Sequence, residues 1–274
     1  MLYGAIFTAR NPKVYEYELN LDKLPKSFDG LRIVQISDFH LGSHGDNSKF
    51  VTKVVRKINS LNPDVVCFTG DLVNSLSSET ISHSNVLQKI NSKYGVYSVL
   101  GNHDYGDYYK WDSDSLKSDN LLKLKSFEKS CGWTLLNNEH RLICNNSDTI
   151  VVIGVENWGE FPFPRYGNLK QAYQDLNDTR FKILLTHNPV HWREEVLDVT
   201  NVDLTLSGHT HAMQVEINLL GFSWSPSKYR YNEYAGIYED ESQVLCVNRG
   251  LGFVGIPMRI GCSPEISLIT LKCK

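Results

Sequence analysis

Five apolar, β-branched runs in this chain stop on residues that are costly to bury. They are "IVQISDFH", ending on Asp38 and His40; "VVCFTGD", on Asp71; "YSVLGNHD", on Asn102, His103 and Asp104; "KILLTH", on His187; and "DLTLSGHTH", on His209 and His211. A charged or polar group at the end of a buried strand destabilises the fold unless something pairs with it. In open α/β sheets, ligands sit in the crevice beyond the carboxyl ends of the strands. A fold that gathers these ends pools two carboxylates, four histidines and one amide as candidate ligands, with His103 and Asp104 beside them.

Between the runs the spacing changes from two to helical. "NSKFVTKVVRKINSLN" places Phe50, Val54, Val55 and Ile58 on one helix face, with Asn47 as its cap. "SSETISHSNVLQKIN" and "SDNLLKLKSFEKS" read as two further helices, the second ending near Gly132. "TLLNNEHRLICNNSDTIVVIGVEN" reads as a hairpin turning at "NNSD", and "QVLCVNRG" and "PEISLITLK" as late strands. The pattern predicts an α/β fold: a four-layer α-β-β-α sandwich of two packed mixed β-sheets with helices outside. No linker, repeat or low-complexity stretch divides residues 1–274, so they read as one domain with residues 1–30 as a lead-in. The opening "MLYGAIF" reads as core, or as the stub that follows a membrane anchor, and "TARNPKVYEYEL" alternates like a strand.

Composition narrows the function classes. A formal charge of -3 without a basic run sets up no field for nucleic acid, so none is expected as a partner. Six cysteines without a C-x-x-C pair suit idle thiols in a reducing compartment better than a disulfide frame or a zinc knuckle. No window approaches the roughly 20 apolar residues of a membrane span, which predicts a cytoplasmic or peripheral-membrane protein.

The pooled ligands are oxygen and nitrogen donors with no thiolate, a set that suits two divalent ions, Mn, Fe or catalytic Zn. They are too many for one tetrahedral ion. Two ions about 3.5–4 Å apart that share a carboxylate would use them all and clamp a phosphate for in-line displacement. A lone His187 would read as an ordinary loop histidine; its place at a strand end singles it out. His44, His83, His140 and His191 lack such a place and read as surface or packing residues, though His44 lies close enough to the first run to touch a substrate.

The series D-x-H, G-D, G-N-H-D, an isolated H and G-H-x-H, in this order from about Leu31 onward, resembles the calcineurin-like metallophosphoesterases. "LPKSFDGLRIVQISDFHLGS", "GNHDYGDY" and "RGLGFVGIPMRIGCSPEI" look like the bacterial branch that is often membrane-anchored and whose members are similar to phosphodiesterases and lipid-precursor pyrophosphatases. The resemblance implies that Asp38, His40 and His211 hold a first ion, that Asp71 bridges, and that Asn102, His187 and His209 hold a second. It implies that His103 contacts the phosphate and protonates the leaving oxygen, with Asp104 orienting its ring. The implied reaction is hydrolysis of a phosphodiester, pyrophosphate or phosphomonoester by a hydroxide that bridges the ions. One position departs: where many relatives read G-D-x-x-D, this chain has Asn74, which bears on ligand orientation and metal preference.

The substrate is expected to be a phosphorylated small molecule or a lipid-linked one. His44, Tyr105, Arg249 and Arg259 are the candidate substrate contacts, and Arg165 is a further cation that could clamp a second phosphate. The aromatic stretches "YGDYYKW" and "ENWGEFPFPRYGN" read as loops that wall the site around an apolar or glycosyl group, or else cover the edge of the core. "NRGLGFVGIP" lacks the strand-to-helix setting of a nucleotide loop. Two alternatives stand beside the phosphoesterase: a membrane-surface pyrophosphatase of a lipid-linked sugar nucleotide (UDP-diacylglucosamine type), and a metal-poor scaffold, which the full ligand set disfavours.

Overall fold

The computed structural model describes residues 8–176, 179–219 and 222–274; the opening "MLYGAIF" lies outside them. Fourteen strands are present among these residues. They are β1 (Lys13–Leu21), β2 (Arg32–Ile36), β3 (Val65–Phe68), β4 (Val96–Ser98), β5 (Trp133–Leu135), β6 (Glu139–Asn145), β7 (Asp148–Gly154), β8 (Lys182–Leu185), β9 (Leu204–Ser207), β10 (Ile217–Leu219), β11 (Phe222–Trp224), β12 (Gly236–Asp240), β13 (Gln243–Val247) and β14 (Glu265–Cys273). One six-stranded sheet runs β1-β14-β2-β3-β4-β5 and a second runs β12-β13-β9-β8-β7-β6. Both are mixed. The strands that lead into the site are parallel to their neighbours, β2 to β3 to β4 in the first sheet and β8 to β9 in the second.

Residue alternation along each strand explains the layering, because successive side chains point to opposite faces. Ile33 of β2 and Cys67 of β3 turn inward, where they meet Ile183, Leu185, Leu204 and Leu206 of the other sheet. Their neighbours Val34, Ile36, Val66 and Phe68 turn outward to a helix layer. On the far side, Val151, Ile153 and Leu184 pack on Leu169, Trp192 and Val196. The result is the predicted α-β-β-α sandwich.

Helix α1 (Lys49–Ser60) buries Phe50, Val51, Val54, Val55 and Ile58, a single apolar stripe, and Asn47 Oδ1 accepts from Lys49 N at its start. Helix α2 (Asp114–Ser130) starts four residues earlier than the apolar spacing suggests, because Ser113 caps it by accepting from Leu116 N. Its buried stripe is Asn120, Leu124 and Glu128. Two of the three are polar, which blurs the hydrophobic period.

The expected helix over "SSETISHSNVLQKIN" is corrected to a 3-10 turn, Ser77–His83, followed by one α-turn, Ser84–Leu87. Side chains there compete with the helical ladder. The Glu79 carboxylate accepts from the backbone N–H groups of Gly42, Asn74, Ser75 and Leu76 at 2.7–3.0 Å, and Asn120 of α2 accepts from Ser77 N. The segment is a clasp on the loops after β2 and β3. No helix among the described residues is long and apolar enough to cross a membrane, and all six cysteines are free thiols.

Candidate metal centre

The loops that follow β2, β3, β4, β8 and β9 converge at one end of the sandwich. Several of their residues leave the strands with left-handed backbone: Asp38, His40, Asp71, His209 and His211 all have φ between 46 and 71°. Such conformations are disfavoured for residues with a Cβ and gather where structure around them imposes a function. The loops also approach closely. A Cβ on Gly70 would lie 2.4 Å from Gly101 N, and one on Gly101 would lie 2.2 Å from Asp71 Oδ1, so only glycine lets these two turns touch.

Two groups of ligand-type atoms result: Asp38, His40 and His211 in one, Asp71, His187 and His209 in the other. In the first, His211 Nε2 lies 3.1 Å from His40 Nε2 and 3.1 Å from Asp38 Oδ1. In the second, His187 Nε2 lies 3.0 Å from Asn102 Oδ1, 3.1 Å from His209 Nδ1 and 3.2 Å from Asp71 Oδ2. The same Asp71 oxygen is 3.6 Å from His40 Nε2, which places it between the groups. Donors held about 2.1 Å from one ion stand about 3.0 Å apart at octahedral angles and about 3.4 Å apart at tetrahedral ones.

The far side of each imidazole fixes which nitrogen points inward. His40 Nδ1 is 3.0 Å from Asn74 Oδ1 and His187 Nδ1 is 2.7 Å from the Thr69 carbonyl, both acceptors, so each ring donates outward from Nδ1 and turns the Nε2 lone pair inward. His209 is reversed: its Nε2 meets the Tyr231 hydroxyl at 3.1 Å, which leaves Nδ1 for the centre. Asp38 Oδ1 is buried without a hydrogen bond. Lone pairs that converge in this way repel one another unless a cation sits among them, so the donor set fits two divalent ions.

The charges fit as well. Burial pushes His40 and His209 down to about 3, so both rings are neutral, the form that ligates a metal. Burial alone would raise Asp71, but His187 and His103 beside it hold the carboxyl well below the usual range. Burial would lower His187, yet Asp71 raises it to about 9. A proton there occupies the nitrogen that an ion would take.

His103 stands beside the groups, its ring edge-on to His40 with centroids 4.9 Å apart. Its Nδ1 is 2.8 Å from the Asn74 carbonyl, and its backbone N–H donates to Asp71 Oδ1. The expectation that Asp104 orients this ring is corrected. The buried Asp104 carboxylate accepts from the N–H groups of Asp71, Leu72, Val73 and Gly101, so it ties the loop after β3 to the loop after β4, and the Asn74 carbonyl orients the ring. Asn74 itself keeps an acceptor on His40, so the departure from aspartate leaves that ring anchored.

Three of the four expected substrate contacts, Tyr105, Arg249 and Arg259, are engaged by other protein groups, and His44 is half-buried. Tyr105 is 3% exposed, stacks on Tyr166 at 3.9 Å and donates to Glu156. Arg249 is paired with Glu216 and Glu265, each at 2.8 Å. Arg259 is fully buried and donates to the carbonyls of Arg249, Gly250 and Gly252 behind His211. His44 stacks on Phe50 with ring centroids 4.5 Å apart and meets Phe253 edge-on at 5.7 Å. Arg165 lies over Trp158 at 3.8 Å and pairs with Glu195. Of the remaining histidines, His83 and His191 are buried packing residues.

Tyr108 and Tyr231 reach the centre instead, through Asn102 Nδ2 at 3.0 Å and His209 Nε2 at 3.1 Å. Tyr231 lies 22 positions beyond His209 in a loop without motif or period, so no local signal marked it. Tyr108 belongs to the aromatic stretch "YGDYYKW" that was expected to wall the site.

A two-sheet α/β sandwich with two adjoining Asp/His groups at the strand ends is the architecture of a dinuclear metal-dependent phosphoesterase. Residues 31–213 match the family described as calcineurin-like phosphoesterase, and the chain belongs to it. It is 33% identical over 283 residues to a zebrafish "transmembrane protein with metallophosphoesterase domain", covering 99% of this chain and 60% of that one. It is 32% identical to the Bacillus subtilis metallophosphoesterase YkuE, covering 94% of this chain and 84% of the relative. The Chlamydia trachomatis UDP-2,3-diacylglucosamine pyrophosphatase LpxG is 31% identical, with 90% and 86% covered. Among solved structures, the Haemophilus influenzae NAD nucleotidase shares the fold over 81% of this chain and 45% of its own, with a TM-score of 0.53 and 15% identity.

Proposed function

We propose that this chain hydrolyses a phosphodiester, pyrophosphate or phosphomonoester with two divalent ions, Mn, Fe or Zn. Asp38, His40 and His211 hold the first ion, Asn102, His187 and His209 the second, and Asp71 both. The observation that carries this reading is the pair of ligand groups joined at one Asp71 oxygen, 3.6 Å from His40 Nε2 and 3.2 Å from His187 Nε2. Ions bound there supply Lewis acidity toward phosphate oxygens and a hydroxide at neutral pH.

The chain's own groups do the rest. Asn74, Thr69 and Tyr231 hold the imidazoles in the tautomers that ligate. His103, whose Nδ1 donates to the Asn74 carbonyl, turns Nε2 toward the centre and would deliver a proton to the leaving oxygen as the imidazolium, a role worth about 10²–10⁴-fold in rate. The left-handed turns and the Asp104 clasp preset these positions, so little reorganisation accompanies the reaction.

The test is hydrolysis of bis-p-nitrophenyl phosphate and p-nitrophenyl phosphate by metal-stripped protein reloaded with Mn, Fe or Zn. Turnover that requires metal, falls to background in Asp71→Asn and drops about 10²–10⁴-fold in His103→Ala is expected. Turnover that persists without metal, or protein that binds no metal, overturns the reading; the latter result marks a scaffold.

A second reading is a lipid-linked sugar-nucleotide pyrophosphate as substrate at a membrane surface. Two observations favour it. The Chlamydia relative is named for such a reaction, and Met213, Val254 and Ile256, exposed on loops that Gln214 ties together beside His211, form an apolar rim. Release of UMP from UDP-2,3-diacylglucosamine in detergent micelles, with poor turnover of the soluble diester, would select it.

A further inference from the structure

Beside the second ligand group lies a cavity of about 280 Å³, whose floor includes Asn102 and His209. A group seated there is within a bond or two of a phosphate held at the centre. We propose that this cavity is a subsite for one sugar ring carried on the scissile phosphate. The inference rests on the phosphoesterase reading and specifies the substrate class.

Size is the first argument. The volume is at the lower edge of ligand pockets, which run about 300–1,000 Å³, so it admits one ring and little more. The walls are the second. Tyr108, Tyr231 and Phe163 line it, and the hydroxyls of both tyrosines are anchored on Asn102 and His209. Fixed aromatic surfaces offer contact area at small entropic loss.

Charge is the third argument. The cation in the wall, Arg230, is already paired with Glu160 at 2.8 Å. A second phosphate in this space would meet the Glu160 carboxylate beside the guanidinium, whereas an uncharged hydroxyl can bond to either. The fourth is an unused amide. Asn157 is 4% exposed and lines the cavity, its side chain has no protein hydrogen-bond partner among the described residues, and its polar atoms still reach solvent. A ligand that covers this amide and shuts out solvent must supply it a partner. An alkyl group would leave it unpaired, while a ring hydroxyl satisfies it.

Neither Asn157 nor Arg230 stood out in the sequence, although Asn157 belongs to the stretch "ENWGEFPFPRYGN" that was read either as a wall for an apolar or glycosyl group or as cover for the edge of the core. The structure divides that stretch. Phe163 lines the cavity, Trp158 is buried beneath it, and Phe161 is 96% exposed.

Calorimetry on the Mn-loaded His103→Ala chain, in which turnover is suppressed, tests the proposal with four probes: glucose 6-phosphate, ribose 5-phosphate, methyl phosphate and octyl phosphate. At least one sugar phosphate is expected to bind about tenfold or more tightly than methyl phosphate, which has no hydroxyl for Asn157 or Glu160 to bond. Preference for the hexose or for the ribose then tells a glycosyl phosphate from a nucleotide. Adding Asn157→Leu should bring the ratio to within about twofold, as should Asn157→Ala if the first variant folds poorly. Equal affinity for the sugar and methyl phosphates, or tighter binding of octyl phosphate, overturns the subsite and leaves the phosphoesterase reading intact. Failure of every phosphate to bind overturns both.

Discussion

His40 shows how single atoms set the chemistry of the centre. Its ring reaches an ion only if Nδ1 carries the proton, and the Asn74 amide oxygen at 3.0 Å is the acceptor that keeps it there. Asn74→Leu should therefore weaken the first ion about 10–100-fold, the usual effect of removing such a support, while Asn74→Asp should bind at least as well as the native chain. Titration of the stripped protein with Mn, followed by calorimetry, reads both. Equal affinity in Asn74→Leu would show that the ring needs no anchor. Tyr231→Phe makes the matching case for His209: the second ion should weaken by a similar factor, with the first unchanged. The ligands were legible in the sequence because each sits where an apolar run stops, a position that exposes a costly residue type. Their supports were not, because a carbonyl such as that of Thr69 has no signature, and Tyr231 and Asn157 occupy loops whose path no period predicts.

At the scale of elements, the strands were legible and the polar helical segments were not. Runs such as "RIVQI" and "VVCF" are buried on both faces, so their sequence is continuously apolar. Helix α2 presents Asn120 and Glu128 to the interior, and residues 77–91 use Glu79 to hold loops, so neither shows a full apolar stripe. Glu128 gives α2 a measurable property. Ser98 Oγ donates to one of its oxygens and the other has no partner. Burial raises its pKa from the ordinary 4.5 to about 8. A carboxyl whose native value stands above its unfolded one adds stability below pH 4.5, and that contribution drains away as the pH climbs to about 8, at up to about 1.4 kcal/mol per pH unit. Glu128→Gln keeps the shape and removes the titration. Its melting temperature should match the native chain near pH 5 and exceed it at pH 8.5; parallel curves across this range would mean that Glu128 is ionised in both states. Asp104→Asn tests the neighbouring clasp. An amide NH₂ placed against four backbone N–H donors should cost about 1–3 kcal/mol or more in urea unfolding, with activity falling as well.

For the whole molecule, the centre joins two halves that also meet through an apolar interface and through polar contacts such as Gln35 Nε2 to the Ser207 carbonyl and Lys23 to Asp203. Asp38, His40, Asp71 and Asn102 come from strands of the first sheet, and His187, His209 and His211 from strands of the second. Each ligand group therefore draws on both sheets, and an ion bound in it would hold them together as well as serve the proposed reaction. In the metal-free chain, buried carboxylates and imidazoles face one another with left-handed backbone beneath them, an arrangement that opposes folding. An ion that binds the native state and not the unfolded one stabilises it by about 2.7 kcal/mol at a concentration 100 times its dissociation constant. For a chain near this size, that is a rise of roughly 5–10 °C in melting temperature per ion. Stripped protein should therefore melt well below Mn-loaded protein, in two increments as the two sites fill. Asp71→Asn should lose most of the gain because the shared oxygen is weakened in both sites at once, whereas Asn102→Ala should lose only the second increment. If metal left the melting temperature unchanged while it restored hydrolysis, the direct contacts between the two sheets would suffice to hold them, and the strained loops would be stable without the ions they encircle.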